Sequence, residues 1–280
     1  MIRVDERPPI LEVKDLSLAY SSGRLFSRKK ESALAIDDVS LEVRAGEALG
    51  IVGESGSGKS SLAKVVMGLV RPDAGTVTFD GIDLLKTKGA DRRRLGRRLQ
   101  MVFQDPYSSL NPKMTLQELI TEPLVIHGLA RRDQLEARCI EILEKVSLDP
   151  CWRGRRPASL SGGQRQRVAI ARALASSPDL IVCDEPVSAL DASVRAQVLN
   201  VLVDLQRDQG VATLFIAHDL AIVRHVCDRV AVMQKGRIVE VVDAADIPGK
   251  VQHPYTKALL AANPSPLREA GTRGGAATEN

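Results

Sequence analysis

The hydrophobic residues of this chain form two kinds of pattern, short unbroken apolar runs and repeats at helical spacing. Three runs lie at residues 48–52 (ALGIV), 180–183 (LIVC) and 212–217 (ATLFIA). Runs of this length without alternating polar residues are typical of strands buried on both faces of a parallel sheet. We therefore predict a parallel sheet that contains these strands and binds ligands at their carboxyl ends.

Repeats at helical spacing predict the helices that accompany the strands. The first repeat follows the first apolar run and comprises Leu62, Val65, Val66 and Leu69. A second comprises Leu135, Cys139, Ile142, Leu143 and Val146. Residues 104–115 are rich in turn formers and predict an exposed loop before a helix. Residues from about 105 to 175 are therefore predicted to form a mainly helical insert.

Composition and charge narrow the class of protein. The 280 residues are 44% hydrophobic and 26% charged, and no apolar run approaches the roughly 20 residues of a membrane-spanning helix. The opening residues MIRVDERPP carry charges and prolines, so we expect no export signal. With 3% aromatic residues a base-stacking platform is disfavoured, and we expect no nucleic acid partner. The four cysteines form no CxxC pair, so we interpret them as packing residues.

The stretch GESGSGKS lies between the first apolar run and the first helical repeat. A strand, a glycine-rich loop and a helix in this order are typical of a phosphate-binding loop. Its backbone N–H groups would converge on phosphate oxygens, Lys59 would reach the β- and γ-phosphates, and the Ser60 hydroxyl would ligate magnesium. The alternative is a glycine-rich turn that binds nothing. The predicted nucleotide-binding residues are Gly53, Glu54, Ser55, Gly56, Ser57, Gly58, Lys59, Ser60 and Ser61.

Acidic residues close the second apolar run, and a histidine closes the third. Asp184 is placed to ligate magnesium, and Glu185 to position or activate the attacking water in a hydrolysis reaction. A pair of acids without a preceding apolar strand would be interpreted as solvent-facing. His218 could hydrogen-bond the γ-phosphate or the water, because imidazole both donates and accepts near neutral pH. The alternative for His218 is a capping or packing residue.

A further stretch, LSGGQRQR at residues 160–167, places small and hydroxyl-bearing residues before a basic helix. Together with GESGSGKS, MVFQDP, the acidic strand end, SALD and His218, it resembles the ATP-binding subunit of ABC transporters over nearly the whole chain. The resemblance implies an α/β fold, a P-loop NTPase (RecA-like) core with a parallel sheet, an ABC-type antiparallel β part and a helical subdomain. It also implies ATP and Mg²⁺ as cofactors and ATP hydrolysis as the activity.

In the family that the chain resembles, ATP is sandwiched between two subunits arranged head to tail. The resemblance therefore implies that the start of this basic helix contacts a γ-phosphate held by a second subunit, by anion binding at a helix N-terminus. The residues concerned are Ser161, Gly162, Gly163 and Gln164. A helix cap formed by serine and glycine is the alternative, but it leaves Gln164 without a role.

Three more residues acquire roles through the same resemblance. Gln104 corresponds to the glutamine that contacts magnesium and water and senses the transmembrane partners, so it joins Lys59, Glu185 and His218 as a candidate catalytic residue. Asp191 corresponds to the aspartate at the subunit interface. Tyr20 corresponds to the aromatic residue that stacks on adenine, with simple packing as the alternative.

Two stretches narrow the resemblance within the family. Residues 104–115 (QDPYSSLNPKMT) and 253–266 (HPYTKALLAANPSP) are similar to segments of the ATP-binding subunits of bacterial dipeptide and oligopeptide importers, a group that includes nickel and glutathione importers. The implied function is ATP hydrolysis coupled to uptake of di- or oligopeptides, with nickel or glutathione as alternative cargo. A soluble ABC ATPase without a transport role and an exporter ATPase are disfavoured alternatives.

The resemblance also implies partners, a location and domain bounds. The partners are two transmembrane permease subunits, a second ATPase subunit that is identical or homologous, and an extracytoplasmic solute-binding protein that acts indirectly. This would place the protein peripherally on the cytoplasmic face of the inner (plasma) membrane. We assign residues 1–265 to the nucleotide-binding domain, with an importer-family segment at about 240–266, and expect a disordered tail at 267–280. The arginine-rich residues 92–98 are interpreted as a solvated helix face, with phosphate or lipid contact as the alternative.

Overall fold

The computed structural model describes residues 8–21 and 32–262, which form two β-sheets and the helices packed against them. The predicted tail at 267–280 and the last residues of the importer-family segment lie outside the described residues. In chain order the strands are β1 (Pro9–Ser21), β2 (Ser32–Arg44), β3 (Ala48–Val52), β4 (Ala74–Phe79), β5 (Ile82–Asp83), β6 (Leu99–Val102), β7 (Leu180–Asp184), β8 (Ala212–Ala217), β9 (Arg229–Gln234) and β10 (Arg237–Asp243).

The smaller sheet is antiparallel, with the strand order β2-β1-β4-β5. In β1 the residues alternate, since Leu11 and Val13 are buried whereas Lys14 is exposed. Such alternation is expected where one face of an antiparallel sheet packs on a core and the other meets solvent.

The larger sheet has the strand order β10-β9-β3-β8-β7-β6. The strands from β9 to β6 are parallel, and β10 pairs antiparallel with β9 as an edge strand. All residues of β3, β7 and β8 are buried, as the three apolar runs predict. The register aligns Val52 at the carboxyl end of β3 with Ala217 of β8, so the loops after these strands emerge at one edge.

The helices connect the strands and cover the sheets. In chain order they are α1 (Lys59–Val66), α2 (Gly89–Arg98), α3 (Pro106–Ser109), α4 (Leu116–Ile126), α5 (Leu135–Lys145), α6 (Gly162–Leu174), α7 (Ala192–Gln209), α8 (Leu220–Val226) and α9 (Pro254–Ala262). Between residues 105 and 175 the regular structure is entirely helical, which matches the predicted composition of the insert. Among the described residues, no helix has both the length and the apolar character needed to cross a membrane.

The first helical repeat is shorter than its spacing predicts. α1 ends at Val66, and Leu69 lies beyond it with 61% of its surface exposed. Gly68 has a φ of 68°, and the N–H groups of Gly68 and Leu69 donate to the carbonyls of Val65 and Lys64. This is the Schellman arrangement, in which a left-handed glycine closes a helix. Leu69 was therefore wrongly included in the helix.

Capping boxes start two helices of the insert. In α4 the Thr115 hydroxyl accepts from the N–H of Glu118 at 3.2 Å, and the Glu118 carboxylate accepts from the N–H of Thr115 at 2.7 Å. The same reciprocal pair at the start of α6 is formed by Ser161 and Gln164. Each box satisfies N–H groups that a helix start leaves without partners, so it defines the first residue of its helix.

The arginine-rich residues 92–98 lie on α2. Leu95 is buried, whereas Arg93, Arg94 and Arg97 are exposed, as expected for a solvated helix face. Arg98 departs from this pattern because its guanidinium donates to the carboxylates of Asp80 and Asp179 and so ties α2 to both sheets.

Candidate functional site

The polar residues predicted to carry chemistry meet at one edge of the larger sheet. The loop after β3 contains Gly53 to Gly58, and Lys59 and Ser60 begin α1. β7 ends at Asp184, and β8 is followed by His218. Gln104 follows β6, the strand next to β7. Because parallel strands present their carboxyl ends at the same edge, side chains more than 100 residues apart in sequence come together there.

Lys59 is the first residue of α1, and its side chain folds back onto the phosphate-binding loop. The residue is 4% exposed, and its ammonium group donates to the carbonyl oxygens of Gly53 and Glu54 at 2.8 Å each. Burial lowers the pKa of Lys59, and the nearby carboxylates of Glu185 and Asp184 act in the opposite direction. Two neutral carbonyl groups of the loop therefore hold the desolvated ammonium group of Lys59. Phosphate oxygens can replace these carbonyls as its hydrogen-bond partners.

Gly58 closes the loop immediately before α1. Its φ is 107°, and a Cβ atom there would lie 2.1 Å from the carbonyl oxygen of Ala35 in β2. A side chain is excluded by both the backbone conformation and this contact. The antiparallel sheet is thus packed directly against the loop and fixes its shape.

Ser60 and Asp184 form a set of ligands suited to a hard cation. The Ser60 hydroxyl donates to Asp184 Oδ1 at 2.9 Å. Burial raises the pKa of Asp184, and the hydrogen bond from Ser60 lowers it in part. Magnesium prefers oxygen ligands and is commonly held by one or two carboxylates together with substrate phosphates. A hydroxyl and a carboxylate beside a phosphate-binding loop fit this requirement.

Glu185, Gln104 and His218 form a second cluster beside this pair. The Gln104 amide nitrogen donates to Glu185 Oε2 at 3.1 Å and to Ser188 Oγ at 3.4 Å. His218 Nδ1 lies 3.9 Å from Glu185 Oε2. The structure thus brings a carboxylate, an amide and an imidazole within reach of one water molecule, an arrangement that general base chemistry requires.

Glu185 has an uncommon backbone conformation. Its φ is 47°, a region that non-glycine residues rarely adopt and that costs of order 1–3 kcal/mol. Its N–H donates to the carbonyl of Ile216 at 3.0 Å, which continues the pairing of β7 with β8 past the last strand residue. The backbone turns sharply at this point and projects the carboxylate over the sheet edge.

The stretch LSGGQ forms the start of α6, and the structure corrects one step of the sequence argument. Ser161 is the N-cap, its hydroxyl accepts from the N–H of Gln164 at 3.3 Å, and Gln164 Oε1 accepts from the N–H of Ser161 at 2.9 Å. The helix-cap interpretation therefore does account for Gln164. Among the described residues, the Ser161 hydroxyl oxygen accepts in this box and its proton is donated to no other group.

The remaining predicted residues lie at the starts of α6 and α7 and near the end of β1. A Cβ atom on Gly163 would lie 1.9 Å from Val194 Cγ1, so α6 and α7 pack closely where LSGGQ begins. Asp191 is the N-cap of α7 and accepts from the N–H of Val194 at 3.0 Å, which lowers its pKa together with a bond from the Ser193 hydroxyl. Tyr20 is 45% exposed near the end of β1.

Comparison with known proteins identifies the family. The family model described as ABC transporter matches residues 36–188, which include the phosphate-binding loop, LSGGQ and the acidic strand end. The chain belongs to the ABC transporter family. It is 46% identical to YkfD of Bacillus subtilis (strain 168), whose name describes an oligopeptide transport ATP-binding protein, over 93% of this chain and 78% of that protein. It is 45% identical to the glutathione import ATP-binding protein GsiA of Pectobacterium atrosepticum, over 91% of this chain and 41% of GsiA.

Solved ABC structures share the fold. The dimeric ATP-binding cassette MJ0796 bound to ADP and Pi superposes with a TM-score of 0.74 at 29% identity, covering 84% of this chain and 98% of the cassette. The predicted fold class, with its parallel core, antiparallel part and helices, is confirmed by this similarity and by the two sheets. The predicted membership of the ABC family is confirmed as well.

Sequence reasoning missed two contacts at the site of this ABC protein. The Ser188 hydroxyl accepts from Gln104, and the Tyr255 hydroxyl accepts from the N–H of Glu54 at 3.0 Å. Ser188 lies just past the acidic strand end, where a hydroxyl could have been suspected. Tyr255 is 201 residues from its partner, and no local pattern could have indicated this contact.

Proposed function

We propose that this chain is the ATP-binding and ATP-hydrolysing subunit of an ABC importer and that it couples ATP hydrolysis to uptake of di- or oligopeptides. The observation that carries the catalytic part is the pair of clusters at one sheet edge, Ser60 with Asp184 and Gln104 with Glu185. The names of relatives at 45–46% identity support the transport part, since they describe oligopeptide transport and glutathione import. Glutathione is itself a small peptide, so glutathione uptake is the second candidate.

The chemistry assigned to the chain's own residues is positioning and charge stabilisation. Lys59 would exchange its two carbonyl partners for phosphate oxygens, and Ser60 with Asp184 would hold the metal. Magnesium supplies neutralisation of phosphate charge when it is bound. Glu185 orients the attacking water or accepts its proton, with the Gln104 amide and the His218 imidazole defining the same water position.

A second ATPase subunit completes the proposed site. Within residues 8–21 and 32–262 the Ser161 hydroxyl donates to no acceptor, and the N-terminus of α6 carries partial positive charge. Both features suit a γ-phosphate presented by the loop of an opposed subunit, with the Asp191 cap close to the same interface. Closure with ATP and separation after hydrolysis would make the dimer a two-state switch.

The proposed permease contact lies between the sheet and the helical part. A cleft of about 330 Å³ is lined by residues of β6, α4 and α6. Large apolar side chains are exposed at or next to it, with Leu69 at 61%, Phe103 at 43% and Ile126 at 61%. Exposed apolar groups around a cleft mark interaction sites, and an amphipathic helix fits such a groove. Residues 104–115 adjoin this cleft.

These contacts define the proposed setting of the protein. Two transmembrane permease subunits would each present a cytoplasmic segment to such a cleft, and the ATPase would sit peripherally on the cytoplasmic face of the inner (plasma) membrane. The extracytoplasmic solute-binding protein would act on the ATPase only through the permeases. Cargo chemistry is therefore decided outside this chain.

The proposed catalytic role of Glu185 is tested by Glu185→Gln. The amide keeps the size of the side chain but cannot accept a proton, so kcat is expected to fall by about 10²- to 10⁴-fold while ATP affinity is kept. Steady-state phosphate release and equilibrium binding of ATP measure the two effects. Glu144→Gln is the matched control, because Glu144 is exposed on α5 and belongs to neither cluster. Unchanged turnover in Glu185→Gln would contradict the assignment.

The transport role is tested in reconstituted vesicles. The vesicles contain the chain, its permeases and the cognate solute-binding protein. They are expected to transport a labelled dipeptide or oligopeptide only when ATP is present on the side of the membrane that carries the ATPase. Uptake of glutathione but no other peptide would favour the second candidate. ATP hydrolysis that permeases never stimulate would contradict both.

A further inference from the structure

Tyr255 links the segment after β10 to the phosphate-binding loop. Its hydroxyl accepts a hydrogen bond from the backbone N–H of Glu54 at 3.0 Å. The ring is half-buried and packs, with Leu259 and Leu260 of the same helix, against the large hydrophobic cluster under the parallel sheet. A tyrosine that buries its ring and directs its hydroxyl to a defined partner is a stable point of attachment.

The partner of Tyr255 is one side of a peptide group whose other side is held by Lys59. Lys59 Nζ donates to the carbonyl oxygen of Gly53, and Tyr255 receives the N–H of Glu54, both at the Gly53–Glu54 peptide bond. Because the N–H and C=O of a trans peptide point in opposite directions, the two side chains hold this peptide from opposite edges.

The segment that carries Tyr255 is itself held in place by hydrogen bonds. The N–H of Tyr255 donates to His253 Nδ1 at 3.2 Å, and the N–H of His253 donates to the Glu240 carboxylate at 3.3 Å. Glu240 lies in β10, opposite Val232 of β9. The tyrosine hydroxyl is thus fixed relative to the parallel sheet.

The turn between β9 and β10 makes a second contact with the phosphate-binding loop. In the turn between β9 and β10, the N–H of Gly236 donates to the carbonyl of Ser57 at 3.0 Å. The carbonyl of Gly236 accepts from the N–H of Asp37 in β2 at 2.9 Å. The described residues from β9 to α9 therefore contact the loop near its start at Glu54 and near its end at Ser57.

We propose that Tyr255 is a positioning residue for the phosphate-binding loop, whose hydroxyl keeps the Gly53–Glu54 peptide in place when Lys59 exchanges its carbonyl partners for phosphate oxygens. The inference rests on the proposed function, since it takes the ligand to be a nucleotide phosphate. Once Lys59 turns to phosphate, the Gly53 carbonyl loses its donor, and the Tyr255 hydroxyl remains as the side-chain hydrogen bond on that peptide. If the hydrogen bond of Tyr255 favours nucleotide binding, then bound nucleotide must favour this hydrogen bond by the same free energy and so stabilise the position of α9.

The test is Tyr255→Phe, which removes one oxygen atom and leaves the ring in the hydrophobic cluster. Loss of one intramolecular hydrogen bond is expected to weaken MgADP and MgATP binding by about 2- to 10-fold. KM for ATP rises by the same factor, and kcat at saturating ATP changes by less than about twofold, because the reacting groups are untouched. Lys257→Ala is the matched control, since Lys257 is exposed on the same helix.

Hydrogen exchange supplies a readout that a purely structural role would not change. MgADP is expected to slow amide exchange in residues 254–262 of the wild-type protein and of Lys257→Ala, but not of Tyr255→Phe. Tyr255→Leu, which loses hydroxyl and ring, is expected to reach the same ADP affinity as Tyr255→Phe.

Three results would overturn the proposal. The first is a MgADP affinity of Tyr255→Phe equal to that of the wild-type protein. The second is equal protection of residues 254–262 by MgADP in the wild-type protein and in Tyr255→Phe. The third is a loss of MgADP affinity in Tyr255→Leu but not in Tyr255→Phe, which would assign the effect to the ring. A wild-type protein that binds neither MgADP nor MgATP would refute the proposed function instead. The two failures are thereby distinguished.

Discussion

Substitution of Ser161 tests whether the hydroxyl at the start of α6 contacts a nucleotide held by a second subunit or only caps its own helix. Ser161→Ala removes a capping hydroxyl, which costs about 1 kcal/mol and lowers Tm by about 2–4 °C in a domain of this size. If the hydroxyl also donates to a γ-phosphate, a charge-assisted hydrogen bond of about 1.5–3 kcal/mol is lost as well. ATP turnover is then expected to fall by about 10- to 150-fold.

Thr115→Ala separates the two effects. Thr115 and Ser161 are both the N-cap of a capping box, so each substitution removes one cap hydroxyl, and Thr115→Ala also removes a 2.9 Å bond from that hydroxyl to the Glu118 carboxylate. Both are measured in the isolated subunit by thermal unfolding and by phosphate release. The expected result is a similar fall in Tm for both variants and a large fall in turnover for Ser161→Ala alone. Equal losses of turnover would refute the reasoning and reduce Ser161 to a helix cap.

Mixing variants tests the head-to-tail geometry of the same dimer. Lys59→Ala is expected to be nearly inactive alone, and Ser161→Ala is expected to keep only the reduced turnover given above. A mixed dimer contains one site in which Lys59 of one subunit and Ser161 of the other are both intact, so mixing restores part of the activity. Absence of recovery, in mixtures shown to exchange subunits, would place Ser161 and Lys59 in the same subunit's site.

Two further predictions follow from burial. The raised pKa of Asp184 means that the native state binds more protons than the unfolded state, so stability falls as pH rises through the folded pKa. Asp184→Asn is therefore expected to raise the Tm of the nucleotide-free protein at neutral pH. The same substitution is expected to remove the increase in Tm that MgADP gives. A lower Tm of the nucleotide-free variant would contradict this prediction. Among the cysteines, only Cys151 is exposed, and burial raises the pKa of Cys139 to about 11 and that of Cys183 to about 12. A thiol reagent is thus expected to label one cysteine in the native protein and four after unfolding, whereas labelling of several native thiols would refute the burial argument.

Local patterns predicted the parts of the fold whose cause is local. The runs 48–52, 180–183 and 212–217 are buried on both faces of the parallel sheet, because an apolar segment of four to six residues has few other stable environments. The antiparallel sheet came only from the family resemblance. Its strands alternate in burial, a local signal that is present in the sequence of β1.

The misassigned details depend on single turns and on distant contacts. Leu69 fits the helical period, but the glycine before it closes α1 one turn earlier. Gln164 was denied a capping role because the reciprocal bond with Ser161 depends on side-chain geometry that a motif does not convey. The proposed roles of Glu185, His218 and Gln104 gain support from their mutual distances, which only the assembled sheet edge reveals.

α6 joins two distant regions through one continuous rod. Ser161 caps its beginning, and eleven residues later Arg172 donates to the Ser109 carbonyl and to the Glu122 carboxylate, each at 2.9 Å. At about 1.5 Å per residue these ends lie roughly 16 Å apart. Because the helix is continuous, a displacement of one end along the helix axis would be transmitted to the other end without a change in helix conformation. A glycine or proline placed midway would weaken that mechanical connection while leaving both terminal contacts chemically intact.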